Sequence, residues 1–430
     1  MTLFGLFVTV LTIAVVFGVL QGSCAFMIYA ERKIAAWMQD RKGPNRVGPW
    51  GLLQSIADGL KFLLKEDVIP KRADKFLYLL APGIAVGTAM LAFVIVPFGP
   101  TTPRPMPPVK PVPIAEDASD LEKKRFAVAE EAFLEQEAQY EAKLDEYNST
   151  YQFVIAPGLN IGLLLLLAIS SLAVYAILLG GWSANNKYSM LGAIRASAQV
   201  VSYEIPMGMS LLGIVLLAGS LNPEHIIYYQ GQYGWGVFYQ PLAFLIFLVS
   251  AFAECNRAPF DLPEAEQELV GGYHTEYSAM KFALFFLGEY THMITTSFVM
   301  VTVFFGGWHF PYIAGIEAPN TILFWALKVL VFLLKVTVFV IFYILIRWTL
   351  PRFRFDQLMG MAWKVLIPLA LLNFVSVMIV QEFELSRWLL LPVTLLFVVG
   401  AGWIGTIPSQ SVDRRMPNTL VRDQRELVSQ

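Results

Sequence analysis

The chain has 430 residues, of which 56% are hydrophobic and 15% are charged, and its mean hydropathy is +0.58. This composition excludes a soluble globular domain and indicates an all-α polytopic membrane protein. The net charge of −2 comes with no basic patch, which argues against a nucleic-acid partner. Two distant cysteines and four histidines without metal-ligand spacing argue against an iron–sulfur cluster, a zinc site or a haem held by this chain alone.

Hydropathy predicts nine membrane-spanning helices of about 15–28 residues each. The predicted spans are residues 3–30, 76–98, 153–179, 198–219, 237–253, 282–305, 322–346, 363–380 and 388–407. The first apolar run has no basic region before it and is too long for the core of a signal peptide, so it is predicted to be retained. Only QEFELSR separates the last two spans, which predicts a tight helical hairpin.

Lys and Arg residues predict the orientation of these spans. The loops on one side and the C-terminal tail together hold 22 of them, whereas the short loops on the other side hold only Arg387. The positive-inside rule therefore places the N-terminus outside and the C-terminus in the cytoplasm. The inner stretch Gly51–Lys65 has apolar residues at helical spacing but is too short to span, so it is predicted to be an amphipathic helix at the interface.

An outer insert divides the chain. Residues 97–113 are rich in proline and are predicted to be extended, whereas residues 117–147 are rich in Ala, Glu and Lys and predict a solvated helix. We interpret this insert as a solvated or partner-binding appendage outside any active site. The predicted organisation is 1–98 (two spans and the amphipathic loop), 99–152 (the insert), 153–385 (the main core) and 386–430 (a further span and a tail).

The stretch AECNRAPFDLPEAEQELVGG (Ala253–Gly272) is the most unusual part of the chain. It places five carboxylates and Arg257 where a membrane helix should leave the bilayer. A charge in hydrocarbon costs about 2.5–3.5 kcal/mol on insertion scales, so such acids usually face a cavity or a partner. A solvated loop would explain one or two of these acids, but it explains less well the prolines, Asn256 and paired glycines that indicate a shaped turn.

Charged residues also occur inside predicted spans. Glu204 and Glu289 are acids in the fourth and sixth spans, and Lys328 and Lys335 lie seven residues apart in the seventh. The two lysines share a helix face, and we expect them to point inward and pair with acids, although Lys328 can also snorkel to the interface.

Four stretches carry a resemblance to a known family. They are AERKIAAWMQDRKGPNRVGPWGLLQSIADGLKFLLKED (30–67), GGWSANNKYSMLGAIRASAQVVSYEIP (180–206), the acid-rich stretch continued through HTEYSAMKFALFFLGEY (253–290), and RWTLPRFRFDQLMGMAWK (347–364). In this order they resemble the H subunit of bacterial NADH-quinone oxidoreductase (respiratory complex I), the counterpart of mitochondrial NADH dehydrogenase subunit 1. The motifs cover most of residues 1–380. The insert and a ninth span depart from the eight-span pattern of the family.

The resemblance implies a subunit of a proton-translocating NADH:quinone oxidoreductase in the cell inner membrane. Such a subunit anchors the hydrophilic arm, forms much of the quinone chamber and begins the proton path, in contact with adjacent membrane-arm subunits. It binds no cofactor itself; quinone is the substrate, and NADH, FMN and the iron–sulfur clusters belong to partner subunits. Lys335 matches a lysine position in the seventh helix of the family.

Quinone reduction requires an apolar tunnel for the tail, charged groups near the head and titratable groups that deliver two protons. The candidate chamber residues are Glu31, Arg32, Arg41, Arg46, Asp58, Lys61, Arg257, Arg347, Arg352, Arg354 and Asp356. For any single arginine, positive-inside anchoring or docking to a partner remains an equal alternative. The candidate proton-path residues are the acids Glu204, Glu254, Asp261, Glu264, Glu266, Glu268 and Glu289, with Lys335 as an intramembrane base.

Glu264, Glu266 and Glu268 lie close together in the sequence. On a helix, Glu264 and Glu268 would share a face and repel each other, and such coupled carboxyl groups titrate together. We expect the cluster to change its proton occupancy when the charge of a nearby quinone changes.

Two other functions fit parts of this pattern. A homologous subunit of a membrane-bound hydrogenase-type complex would keep the fold without using quinone. A stand-alone ion transporter would also need charges within its spans, but it predicts internal repeats and paired broken helices, and the sequence shows no clear repeat.

Overall fold

A long apolar run in a bilayer forms a helix because every backbone polar group must then find its partner within the segment. The computed structural model describes residues 3–105, 107–108, 110, 120–261, 270–315 and 321–406. Within these ranges the chain forms helices and no β-strand, which confirms the all-α prediction. The longer helices are α1 (Leu3–Met38), α2 (Gln54–Leu64), α3 (Lys75–Ala92), α4 (Asp120–Ser149), α5 (Gly162–Ser183), α6 (Lys187–Ala218), α7 (Pro223–Tyr233), α8 (Pro241–Glu254), α9 (Ala279–Phe304), α10 (Ile322–Thr349), α11 (Phe355–Glu382) and α12 (Leu390–Thr406).

A helix lies at each of the nine positions where a span was predicted. Six of them, α1, α3, α5, α6, α10 and α11, are long and apolar enough to cross a membrane by length and composition. The chain is therefore a multi-pass membrane protein. α8 is shorter, with 14 residues, and the final apolar helix is also short. α9 has 26 residues but carries several polar side chains along its length, so the count of nine spans stays a prediction.

α9 lies at the centre of the helix bundle. Every residue from Met293 to Phe304 is buried, and α9 packs against α3, α8 and α10. α1 lies at the periphery and exposes apolar residues such as Phe7, Val19 and Phe26. The middle of α9 carries Glu289, Tyr290 and His292, and the position of α9 in the bundle places these residues beside α1 and α8.

The predicted amphipathic helix is α2, which packs against α1 and α9. Its apolar residues Ile56 and Leu60 are exposed and lie on one face. The Ser55 hydroxyl donates to the Ala25 carbonyl at 2.6 Å, which ties α2 to α1. The opposite face of α2 is therefore turned towards the protein, as expected for a helix that covers a cavity.

The insert at residues 99–152 is closed by contacts between its two ends. The backbone N–H of Phe98 donates to the Phe153 carbonyl at 2.9 Å, and the N–H of Phe153 donates to the Pro100 carbonyl at 3.3 Å. The described part of the predicted solvated helix is α4, most of whose residues are exposed. A groove of about 630 Å³ lies between α4 and the proline-rich segment, with Tyr228 of α7 contributing to its lining. The insert therefore rests on α7 at one end of the bundle.

Glu224 of α7 is buried beneath the insert, with 3% of its surface exposed. Its Oε1 accepts a hydrogen bond from the Gly158 N–H at 3.3 Å. Gly158 has a positive φ of 73°, and a side-chain atom there would lie 2.9 Å from Arg104 Cδ and 3.4 Å from the Tyr147 hydroxyl. Burial raises the pKa of Glu224 to about 7, although hydrogen bonds from Gly158 and Asn222 oppose the shift. Its negative charge also contributes, after burial, to a raised pKa of Tyr147.

The contact between the insert and α7 is expected to weaken as the pH around the insert rises. Protonation favours the buried state because the pKa of Glu224 is higher there than the ordinary value of 4.5. The stabilisation is fully present below pH 4.5 and is lost as the pH rises through about 7. We expect pulsed EPR distances between labels at Leu134 of α4 and at Phe238, an exposed residue between α7 and α8, to be narrowly distributed at pH 6 and broader at pH 8.

Glu224→Gln is the matched variant, because it is neutral at both pH values. It should keep the narrow distribution at pH 8. Equal broadening in the wild type and in Glu224→Gln would contradict the assignment of this pH dependence to Glu224.

Candidate functional site

A cavity of about 900 Å³ lies between α1, α2 and α9, at the end of the bundle that the sequence predicts to face the cytoplasm. We call it the inner cavity. Its charged lining comprises Glu31, Arg32, Arg41, Lys42 and Asp58, and its apolar lining includes Phe62, Phe286 and Leu287. Pockets for small molecules have about 300–1,000 Å³ and are mostly apolar with a few polar groups. The inner cavity therefore has the size and lining of a ligand site.

Glu31 is a buried charged residue of the inner cavity. Its side chain is 8% exposed and pairs with the guanidinium of Arg347, which is 316 residues away in sequence. Its Oε2 also accepts a hydrogen bond from the Tyr290 hydroxyl at 2.5 Å. The fold thus brings together two predicted chamber residues from α1 and α10 and adds a tyrosine of α9.

Tyr290 connects the inner cavity with the turn at residues 253–261, which we call the acid turn. The Arg257 guanidinium lies 4.1 Å from the centre of the Tyr290 ring, at the distance of a cation–π contact. The same guanidinium lies 3.6 Å from Glu289 Oε2. Arg257 is buried, so its charge is balanced by this acid and by the ring rather than by water.

A second, smaller cavity of about 50 Å³ has Glu289 in its lining. We call it the polar cavity. It is lined by Glu254, Asn256, Glu289 and His292, with Tyr273 beside them. Glu254 Oε1 lies 3.2 Å from His292 Nε2, and the Tyr273 hydroxyl donates to Glu289 Oε1 at 3.4 Å.

Glu204 lies beyond the polar cavity. α5 contributes Ser170 to the lining of this cavity, and the next residue, Ser171, donates a hydrogen bond from its hydroxyl to Glu204 Oε1. The polar groups thus form a series from Glu31 through Tyr290, Arg257 and Glu289 to Glu254 and His292, with Glu204 near its end.

Asp261 is the last described residue of the acid turn, and it pairs with Arg352, whose Nη2 lies 3.0 Å from its Oδ2. Arg32 pairs with Asp58 at the inner cavity. Other predicted chamber residues are exposed and do not line the inner cavity: Arg46, Lys61, Arg354 and Asp356. Glu264, Glu266 and Glu268 lie outside the described residues.

Sequence reasoning missed His292. It follows Glu289 by three residues on α9, so both side chains lie on one helix face. A histidine three residues after an intramembrane acid is a signal that could have identified it. Tyr290, in contrast, was seen in the motif but has no sequence property that predicts its contacts with Glu31 and Arg257.

Lys335 has partners different from those we expected. Its Nζ donates to the carbonyls of Phe305, Gly307 and His309 at 2.7, 2.9 and 2.7 Å. These three residues lie in the segment just after α9. It also lies 4.6 Å from the centre of the Trp235 ring. In the part of the chain that the structure describes, Lys335 thus binds backbone carbonyls and not an acid.

Lys328 is buried and lies 4.6 Å from the centre of the Trp308 ring. His309, in the loop beside both lysines, has a pKa lowered by burial and, to a lesser degree, by the charges of Lys335 and Lys328. The described residues contain no group of three or more His, Cys, Asp or Glu that could hold a metal ion.

The chain matches known proteins over most of its length. The family model described as NADH dehydrogenase matches residues 11–378. An H subunit of NADH-quinone oxidoreductase from Geobacter metallireducens is 46% identical over 362 residues, which cover 84% of this chain and 92% of the relative. The protein of the same name from Cytophaga hutchinsonii is 42% identical over 351 residues, 81% of this chain and 90% of the relative.

A third relative is NADH-quinone oxidoreductase subunit 8 of Rhodothermus marinus, 42% identical over 364 residues, which cover 83% of this chain and 92% of the relative. The family match includes both cavities and ends before α12 begins. The chain belongs to the family of the H subunits of NADH-quinone oxidoreductase.

Proposed function

We propose that this chain is the membrane subunit that forms the quinone chamber of a proton-translocating NADH:quinone oxidoreductase and begins its proton path. The observation that carries the proposal is the series of side-chain contacts that runs from one cavity to the other. Glu31 lines the inner cavity, contacts Tyr290, and is linked through Arg257 and Glu289 to the polar cavity with Glu254 and His292. Through these contacts, a change of charge in one cavity alters the electrostatic potential at the titratable groups of the other.

The inner cavity has the chemistry that quinone reduction needs. Its aromatic and aliphatic walls suit an isoprenoid tail, and its charged groups lie where a polar head would enter. Reduction of quinone to quinol takes up two electrons and two protons. The electrons come from redox groups on other subunits, with NADH, FMN and iron–sulfur clusters outside this chain. Glu31 and Tyr290 are placed to respond when the head group takes up negative charge.

The polar cavity supports proton transfer over short distances. A polar cavity of its size holds about one or two ordered waters when several polar groups line it. Glu254 Oε2 and Asn256 Oδ1 are buried and have no hydrogen-bonding partner among the described residues, so they can accept from such waters. Glu254 and His292 then act as neighbouring proton carriers, and Glu204 continues the path between α5 and α6.

The rest of the proposal concerns placement. The inner loops with their excess of Lys and Arg face the cytoplasm and dock the hydrophilic arm, and the chain lies in the cell inner membrane beside other membrane-arm subunits. The insert and the C-terminus lie outside and inside, respectively. Membership in this family disfavours a stand-alone transporter, and the mostly apolar inner cavity favours quinone over the hydrogenase-type alternative.

Gly59→Trp tests whether the inner cavity holds the quinone. A Cβ atom at Gly59 would meet no atom within 4 Å, and Gly59 lines the cavity, so an indole introduced there is expected to occupy space that the tail needs. We expect the rate with a long-tailed quinone to fall roughly tenfold, or about 1.4 kcal/mol in activation free energy. A short-tailed analogue should be reduced at nearly the normal rate.

Leu60→Trp is the matched control, because Leu60 is exposed and does not line the inner cavity. It should leave both rates unchanged. If Gly59→Trp has no effect on either quinone in an assembled complex, the inner cavity is not the quinone chamber.

A further inference from the structure

One side chain of α6 touches both ends of the acid turn. Gln199 is fully buried, and its Nε2 donates to the Ala253 carbonyl at 2.8 Å and to the Phe260 carbonyl at 2.7 Å. These carbonyls flank the segment that carries Glu254 and Arg257. A single amide therefore holds the beginning and the end of the turn at a fixed distance from α6.

The acid turn needs such support because its backbone is irregular. α8 ends at Glu254, and Asn256 has a positive φ of 50°, a conformation that side chains other than glycine adopt at a cost. Asn is among the residues that tolerate it best. Strained conformations persist only when surrounding contacts determine them, and the two hydrogen bonds from Gln199 are contacts of this kind.

Gln199 is the centre of a stripe on α6. Arg195 and Tyr203, four residues to either side, share its helix face. The Arg195 guanidinium lies 5.1 Å from the centre of the Phe355 ring, and the Tyr203 hydroxyl donates to the Leu358 carbonyl at 2.9 Å. The stripe thus contacts both the acid turn and the beginning of α11.

The acid turn and the loop before α11 also contact each other directly. Arg352 pairs with Asp261, and the N–H of Phe353 donates to the Pro259 carbonyl at 3.1 Å. The Phe260 and Phe353 rings stack with 5.5 Å between their centres. Displacement of the acid turn would therefore move both inner loops together.

We propose that Gln199 is a positioning residue for proton transfer: it holds the acid turn so that Glu254 meets His292 and Arg257 meets Tyr290 and Glu289. These contacts tolerate only a small displacement of the acid turn. Glu254 lies 3.2 Å from His292 and Arg257 lies 3.6 Å from Glu289, so a shift of about 1 Å breaks them. This inference rests on the proposed function.

Gln199→Met tests it in the assembled complex in sealed vesicles. The thioether fills a similar volume but donates no hydrogen bond. We expect the rate of coupled quinone reduction to fall roughly tenfold, because misplacement of a reacting group slows a reaction. The pH profile of the rate should shift, because Glu254 is no longer held beside His292. Gln199→Asn keeps an amide with a shorter reach and should give an intermediate effect, which answers the question if Gln199→Met does not assemble.

Gln230→Met is the matched control. Gln230 is also fully buried, and its amide donates to the Thr302 carbonyl at 2.9 Å and accepts from the N–H groups of Gly236 and Gly306 at 3.0 Å, away from the acid turn. It should lower the thermal stability of the complex at least as much as Gln199→Met. Its pH profile and its proton signal per NADH oxidised should be unchanged.

The outcomes separate the two proposals. If Gln199→Met and Gln230→Met alter coupling in proportion to their loss of stability, or if Gln199→Met leaves the pH profile unchanged, Gln199 is a structural residue only. If Glu254→Gln, measured alongside, leaves coupling intact, the proposed proton path itself is wrong.

Discussion

Glu254→Gln is expected to abolish coupled quinone reduction in a complex that still assembles. The substitution keeps the shape of the side chain and removes its titratable proton. Because Glu254 is buried, lines the polar cavity and lies 3.2 Å from His292, no exposed group can take over its position. A positioned acid or base contributes roughly 10²–10⁴-fold to a rate, so the expected loss is about 10²-fold or more.

The measurement is quinone reductase activity and the proton signal in membranes, with co-purification of the hydrophilic arm to verify assembly. Glu66→Gln is the matched control, since Glu66 is an exposed acid just after α2 and lines neither cavity. Unchanged activity and coupling in an assembled Glu254→Gln complex would mean that the acid turn is a docking loop and not a proton path.

Lys335→Met is expected to destabilise the complex strongly. Lys335 is the donor to three carbonyls that follow the end of α9, and those carbonyls lie in a low-dielectric region next to the rings of Trp235 and Phe310. Removal of a donor leaves buried acceptors without a partner at a cost of about 1–3 kcal/mol each, so we expect a loss on the order of 3 kcal/mol or more. The half-life of the purified complex at elevated temperature should fall accordingly.

Lys328→Met provides the comparison on the same helix. The Lys328 ammonium lies 4.6 Å from the centre of the Trp308 ring, and a cation–π contact contributes about 0.5–2 kcal/mol. Lys328→Met should therefore destabilise the complex less than Lys335→Met does. The opposite result, in which Lys335→Met stays stable but loses proton transfer, would assign Lys335 to the proton path as an intramembrane base.

Part of the site follows directly from the sequence. The charged loop after α1 predicts groups near a ligand, and Glu31, Arg32, Arg41 and Asp58 do line the inner cavity. The same reasoning selects Arg46 and Lys61, which are exposed elsewhere. A charge count cannot separate these residues, because the direction of a side chain depends on how α2 packs against α1 and α9.

Contacts between distant segments could not be predicted from local patterns. Glu31 meets Arg347 across 316 residues, and nothing in either neighbourhood specifies the other as its partner. Lys335 illustrates the same limit in another way. Its place in an apolar helix predicts that it needs a partner, but whether that partner is an acid or a set of carbonyls depends on how the chain turns after α9.

The sequence by itself determined the all-α membrane architecture, the positions of the helices, the amphipathic α2 and the family. Hydropathy and helical periodicity are properties of a few adjacent turns, and the motifs are continuous stretches. Only the tertiary structure decided that Tyr290 and Arg257 link the inner cavity to the polar cavity, that His292 faces Glu254, and that Gln199 holds the acid turn. These relations arise from the packing of α1, α6, α8, α9 and α10, whose contacting residues are far apart in the chain.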